Sequence, residues 1–486
     1  MAKKIIFALL ALFTIVVLIN IWTVFALQKN VKQYLSLNIE RNNDEQLIKN
    51  SAENIIKNYE KINKNLKKIL FKDFSEDLSK ILTHFLHKEN ISYLVLLQNS
   101  DELRATGGFI GSYFFLEFSH GMWNLTPVQD IYNIAGQQKS FPTSPPGHYE
   151  YLSEGKGLLI QDANWWPDLT TSAEKIINLW QEIAAQSPYL DHNRDIAGII
   201  FVNLDLIESL LEQIGPIQLP DYESAIDSQN FAQLARADRL NFFAGSTEKA
   251  NFLNHSKVAI ENRLSQLNFK ENQALINVLF DNLENKNIQI YSRDKELEKI
   301  WQKHNFAGQM LRKNLNNFYF YSVESNVGIN KANRLVEREF HFYQNDEQIE
   351  QIRIKFSNKN QKPLNINTNP DLNTADHLSY VNFQRLYFAP EIKIKQIQLI
   401  DENGKAETID FLSQAYFQEN QEFLEISFLL LITEQEQLDL VIDLENNSKQ
   451  QDLEVQKQSG IKEIPIYFYQ NQDLVDNWTL TRDRLE

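Results

Sequence analysis

Charge is absent from Ile5 to Leu27, and Asn20 is the only strongly polar side chain in that run. As a helix, such a stretch crosses a hydrocarbon core of about 30 Å. Lys3 and Lys4 precede it, so the positive-inside rule keeps that end in the cytoplasm and the body outside, although Lys29 and Lys32 weaken the asymmetry. The alternative is a cleaved secretion signal, whose apolar region is normally about 7–15 residues long and followed by a small-x-small site. This run is longer, and Thr23-Val24-Phe25-Ala26 offers no such site.

Gln28 to about Asn90 contains neither Gly nor Pro and repeats apolar residues at helical spacing: Leu47, Ile48, Ile55, Ile56, Tyr59, Ile62, Leu66, Leu70. This predicts a helical spacer or, were a heptad sustained, a coiled-coil stalk; no strict heptad persists. At Ile91 the texture changes. Ile91–Leu97, Phe109–Phe118 and Met122–Pro127 read as strands, as does Ile196–Val202. Thr171-Ser172-Ala173-Glu174 has the capping-box pattern and predicts a helix through Ile183. A second helix starts at Asp205 and stops at Gly215-Pro216, and a long helical region follows from about Phe231 to Gly308, with a strand interruption at Ile288–Tyr291. Strands alternating with amphipathic helices imply an α/β layered domain. From Phe318 onward, short alternating strands separated by Asn, Asp and Gly turns imply an all-β, sandwich-like domain. The expected organisation is a cytoplasmic start and anchor over 1–28, a spacer over 29–90, an α/β domain over 91–317, a β domain over 318–470 and a tail over 471–486.

A net charge of -16 argues against a nucleic-acid surface, which needs Lys and Arg against phosphates. The absence of cysteine removes disulfides, Cys-ligated zinc, iron–sulfur clusters and thiol nucleophiles together. The nine histidines form no His-x-x-x-His pair, and there is no Walker loop, Rossmann fingerprint or Gly-x-Ser-x-Gly elbow.

Two segments carry candidate chemistry. Between the first two strands lies Asn99 to Ser112, with Asp101, Glu102, Arg104 and three of the chain's 15 Gly: Gly107, Gly108 and Gly111. Glycine lets a backbone approach a ligand closely, and acids, an Arg and open amides together suit a metal–phosphate pair. The competing reading is a tight turn with Arg104 paired to Asp101 or Glu102. The second segment, Gln161 to Ala173, packs Asp162, Asn164, Trp165, Trp166 and Asp168 before a helix N-terminus. Helix N-termini favour anions and Trp faces favour sugars or apolar chains. Here the competing reading makes Asp168 a cap and the indoles packing groups.

The stretches Leu94–Tyr113 and Asp162-Ala163-Asn164-Trp165 with Pro167-Asp168 resemble signatures of a bacterial family known as domain of unknown function 4012. Gly215-Pro216, Asn326–Lys331, Tyr380–Arg385 and Val455–Gly460 extend the resemblance over about 91–465. That family implies no activity. The order of elements is also similar to the LytR-CpsA-Psr envelope proteins, single-span enzymes that transfer glycopolymers from a polyprenyl-pyrophosphate lipid. This second resemblance implies a pyrophosphate grip by Asp101 and Arg104, with Mg²⁺ on Asp101 and Asp130. Asp130 matches an Arg-Asp pair of that pattern, Gln129 replaces its arginine, and Lys249–Lys257 only loosely match its later arginines. Losing that guanidinium removes a permanently charged, bidentate contact. The resemblance makes Asp101, Arg104 and Asp130 the expected catalytic group. Gly107, Gly108, Ser112, Gln129, Asp162, Asn164, Trp165 and Asp168 are the expected ligand contacts. The implied protein sits in the cell membrane, with its body outside, and handles a lipid-linked glycan or wall polymer in envelope assembly. The rival is a non-catalytic envelope scaffold or binding module.

Overall fold

The computed structural model describes residues 45–60, 74–88, 90–119, 122–153, 155–220, 222–236, 248–345, 347–361, 378–418, 421–445 and 452–485. The expected anchor lies outside them. Among the described residues no helix is long and apolar enough to cross a membrane.

In chain order the elements are α1 (Glu45–Glu60), α2 (Phe74–His87), β1 (Ile91–Asn99), β2 (Phe109–Ser119), β3 (Met122–Leu125), β4 (Gln129–Asp130), α3 (Tyr132–Ala135), α4 (His148–Tyr151), α5 (Leu169–Gln186), β5 (Ile196–Asn203) and α6 (Leu204–Ile214). There follow α7 (Phe231–Arg236), α8 (Glu248–Ser265), α9 (Phe269–Glu284), β6 (Ile288–Ser292) and α10 (Lys295–Lys303). The remainder is β: β7 (Phe318–Asn326), β8 (Val336–Asn345), β9 (Gln348–Asn358), β10 (Tyr380–Phe388), β11 (Lys393–Asp401), β12 (Ala406–Thr408), β13 (Leu412–Gln418), β14 (Gln421–Ile432), β15 (Gln437–Glu445), β16 (Leu453–Gln456), β17 (Ile464–Gln470) and β18 (Asp473–Leu480).

The first compact unit comprises the described part of Met1–Gln98 with Ile110–Lys139 and Ile177–Ala307. Its mixed sheet runs β3-β2-β1-β5-β6, with β4 on β2. β1 and β5 are parallel, whereas β6 and β4 pair antiparallel with their neighbours. Tyr93 and Val95 of β1 and Phe114, Leu116 and Phe118 of β2 point into a core closed by Leu206, Leu210 and Ile214 of α6. The stretch expected to be a spacer is, over α2, part of this core: Phe85 lies 5.5 Å from Tyr93 and 4.8 Å from Phe118, ring centre to ring centre. Gly198 is required by close approach, since a Cβ there would sit 2.2 Å from the Tyr291 carbonyl oxygen.

The second unit comprises Asn99–Phe109, Ser140–Ile176 and Gly308–Glu486. Its sheets run β13-β14-β10-β7-β16 and β12-β11-β15-β9-β8-β17-β18. Phe320, Leu386 and Phe428 from the first and Phe340, Ile354 and Ile442 from the second share one core. The alternation that predicts strands supplies it: on β9, Ile352, Ile354 and Phe356 are buried while the intervening residues are half-buried. β18 falls within the stretch read as a tail and pairs antiparallel with β17. The α/β and β-rich character of the two parts agrees with the sequence pattern, but Asn99–Phe109 and Ser140–Ile176, which interrupt the α/β stretch, belong to the β-rich unit.

Candidate functional site

The loop after β1 folds on itself before β2 begins. Gly107 N–H donates to Arg104 O at 2.9 Å and Phe109 N–H to Glu102 O at 2.9 Å. Gly107 has φ 129°, a conformation that favours glycine. At Gly108 a Cβ would lie 2.3 Å from Asn99 O, and at Gly460 (φ +83°) a Cβ would lie 2.0 Å from Gly107 O. The glycines are therefore explained by backbone packed against backbone.

Arg104 is 1% exposed. Its Nη1 donates to Asn326 O at 2.6 Å and Leu103 O at 3.3 Å. Its Nη2 lies 2.7 Å from Glu102 Oε1 and 3.5 Å from Asp162 Oδ1. Burial raises the pKa of both carboxyls, and the Arg104 charge pulls each back down. Asn164 donates from one amide nitrogen to Thr106 Oγ1 (3.0 Å) and Gly108 O (2.8 Å). Gln458 ties the loop to β7, donating to Arg104 O and Glu324 O and accepting from Glu324 N–H. Asn333 donates to Asp101 O and Ser100 O. Four motifs scattered through the sequence thus meet at one loop: Arg104 and Gly107-Gly108, Asp162 and Asn164, Asn326, and Gln458 with Gly460.

Trp165 is 2% exposed. Phe383 stacks on it at 5.5 Å and the Arg385 guanidinium lies 4.6 Å from its ring centre. His148 meets it edge-on at 5.2 Å. Burial, then Arg104 and Arg385, push the His148 pKa down to about 4. Its signal in the sequence is nil, a lone His after a Pro-rich loop. Asp168 is the helix cap in place of the expected Thr171: its Oδ1 accepts from Thr171 N–H at 2.9 Å, its Oδ2 from Met310 N–H at 3.2 Å. The expected box fails because the helix starts three residues earlier, at Leu169.

The structure places Ser112, Gln129 and Asp130 in the other unit. Ser112 pairs with Asp130 and Tyr113 with Gln129 between β2 and β4. Asp130 Oδ1 accepts from Tyr132 N–H at 2.9 Å, and Gln129 Oε1 from the Tyr113 hydroxyl at 2.8 Å. Lys257, also in that unit, is buried with Nζ 3.0 Å from Thr126 O, and burial lowers its pKa to about 8. Among the described residues no three His, Asp or Glu gather so as to hold a metal ion. Asp130 Oδ1 is committed to a turn, and among the described residues neither Asp101 nor Asp130 belongs to a cluster of three such groups.

Residues 88–239 match the model of a family described as "Protein of unknown function (DUF4012)". No curated protein matches. Among solved structures, the chain is similar to the Lin1025 protein from Listeria innocua, with 12% identity over 45% of this chain and 79% of that one and a TM-score of 0.23. It is also similar to a transcriptional regulator (EF0465) from Enterococcus faecalis, with 11% identity over 45% and 72% of the two chains and a TM-score of 0.23. Likeness this weak fixes neither fold nor activity.

Proposed function

We propose that the protein is a membrane-anchored, extracytoplasmic binding or scaffold module of the cell envelope, and that its Arg104 loop is architecture rather than a transfer site. The observation that carries this reading is the engagement of both terminal nitrogens of Arg104, by two carbonyls and two carboxylates. With both acids ionised the Arg104 charge is already balanced by its own carboxylates, which leaves it little to offer a pyrophosphate. The anchor rests on the apolar run Ile5–Leu27 behind Lys3 and Lys4. In this reading the α/β unit is LytR-CpsA-Psr-like in its layered sheet, and the β-rich unit is a sandwich that presents surface to wall polymers or partner proteins.

The alternative is Mg²⁺-assisted transfer of a glycan from polyprenyl pyrophosphate. The two are separated with the full-length chain in detergent, Mg²⁺ and a polyprenyl-pyrophosphate-linked glycan. No transfer is expected. Turnover that Arg104→Met abolishes without lowering thermal stability would overturn the proposal. For topology, protease added outside intact cells should digest the body, and the protein should remain with membranes after a high-salt wash; release by the wash would contradict the anchor.

A further inference from the structure

Among the described residues, four arginines are buried in the β-rich unit: Arg104, Arg312, Arg338 and Arg385. Three have a carboxylate within ion-pairing distance. Arg104 has Glu102 and Asp162, Arg338 has Glu324 at 2.7 Å, and Arg312 has Glu391 at 3.5 Å. Arg385, 3% exposed on β10, has none among the described residues. Its Nη2 donates to Ser325 Oγ at 3.0 Å, and its guanidinium carbon lies 4.6 Å from the Trp165 ring centre. Its Nε is buried and has no hydrogen-bond partner among the described residues. The carboxylates that share its surroundings are Glu425 and Asp168 near Tyr416 and Asp483 near Tyr321, none of them within ion-pairing distance. Glu425 accepts from Tyr387 and Gln414, each at 2.8 Å, and Asp168 from two backbone amides.

A guanidinium cannot shed its proton to escape burial. Taking it out of water without a counter-charge costs several kcal/mol. Against the same Trp165 ring, His148 has both nitrogens without a hydrogen-bond partner among the described residues. The neutral His148 can donate one N–H, and Arg385 still offers its Nε edge. Arg104 cannot serve, since its own carboxylates neutralise it. We propose that Arg385, with Ser325 and His148 beside it, holds a small oxyanion, a phosphate or carboxylate group, inside the β-rich unit. A planar fork of N–H donors is the arrangement that takes such groups in a bidentate way. The site adjoins the Arg104 loop, whose charge also acts on His148, but neither the scaffold reading nor its failure decides it.

The test uses the full-length chain in detergent at pH 7, exchanged exhaustively into chloride buffer. Inorganic phosphate and, in a second arm, acetate are titrated at constant ionic strength, so that general screening cancels. A saturable rise in melting temperature of about 5 °C is expected with at least one of them, and which one responds identifies the group. Arg385→Met should abolish the rise and, in chloride, melt no lower than the wild type. No saturable rise in the wild type, or a rise that Arg385→Met leaves intact, would overturn the proposal. If that variant does not fold, equilibrium dialysis of labelled phosphate and labelled acetate against the wild type decides: about one equivalent of either bound upholds the site, and none overturns it.

Discussion

Nη1 of Arg104 donates to the carbonyl oxygen of Asn326 at 2.6 Å, joining residues 222 positions apart. The bond is part of a closed set, because Asn326 N–H donates in return to Leu103 O at 2.9 Å. The loop before β2 is thereby sewn to the end of β7.

Gly108→Ala places a methyl 2.3 Å from Asn99 O and 2.7 Å from Ser100 N, both backbone atoms that cannot rotate away. A loss of about 1–3 kcal/mol is expected, read as a lower urea midpoint with unchanged slope. An unchanged midpoint would mean that the glycine is there to admit a ligand.

Asp168→Ala removes the acceptor of the Thr171 and Met310 amides. Loss of a cap costs about 0.5–2 kcal/mol, and the second orphaned amide puts this site at the upper end. Asp168→Asn, which retains one acceptor oxygen, should lose less. Equal losses in the two variants, measured by urea denaturation, would show that the cap is not what Asp168 supplies.

His148 gives a pH signature. Its pKa is about 4 when folded, against about 6.5 unfolded, so between these values the unfolded chain binds a proton that the folded chain does not. Stability from this group is therefore present above pH 6.5 and is lost as pH falls towards 4. The full loss is about 3 kcal/mol. Glu102 and Asp162, whose pKa values are raised by burial, act in the opposite sense, but they remain in His148→Gln and cancel on comparison. In chloride buffer the difference in stability between wild type and His148→Gln should slope upward from pH 4 to 6.5. A flat difference would show that His148 is solvated.

Strand positions were legible where one face is buried, as in the alternation of Ile352, Ile354 and Phe356. β18 was not: Asp473 to Asn477 are exposed, so no period-2 contrast marks it. Likewise β13 is an edge strand with Leu412 and Phe417 exposed, and its side chains carry no alternation. Asp162 and Asn164 were legible as polar groups in a loop, and Arg104 as a partner for Glu102. What could not be read was that β7, β10 and the segment after β16 supply the other half of the site, because pairing between distant segments leaves no local periodicity. Arg385 appeared only inside a family-like motif, and nothing in its neighbours announces a buried cation without a counter-ion.

The central claim is that Arg104 holds the fold together. Arg104→Met leaves Glu102 and Asp162 buried without their cation, and breaking such a pair costs about 3–5 kcal/mol. Adding Glu102→Gln and Asp162→Asn removes the stranded charges, so the triple variant should recover much of the loss. The decisive measurement is urea denaturation of the full-length wild type, the single variant and the triple variant at pH 7. The account predicts a large loss in the single variant and substantial recovery in the triple. A single variant as stable as the wild type that has lost saturable binding of Mg²⁺-pyrophosphate would contradict it, and would return Arg104 to the role of ligand grip.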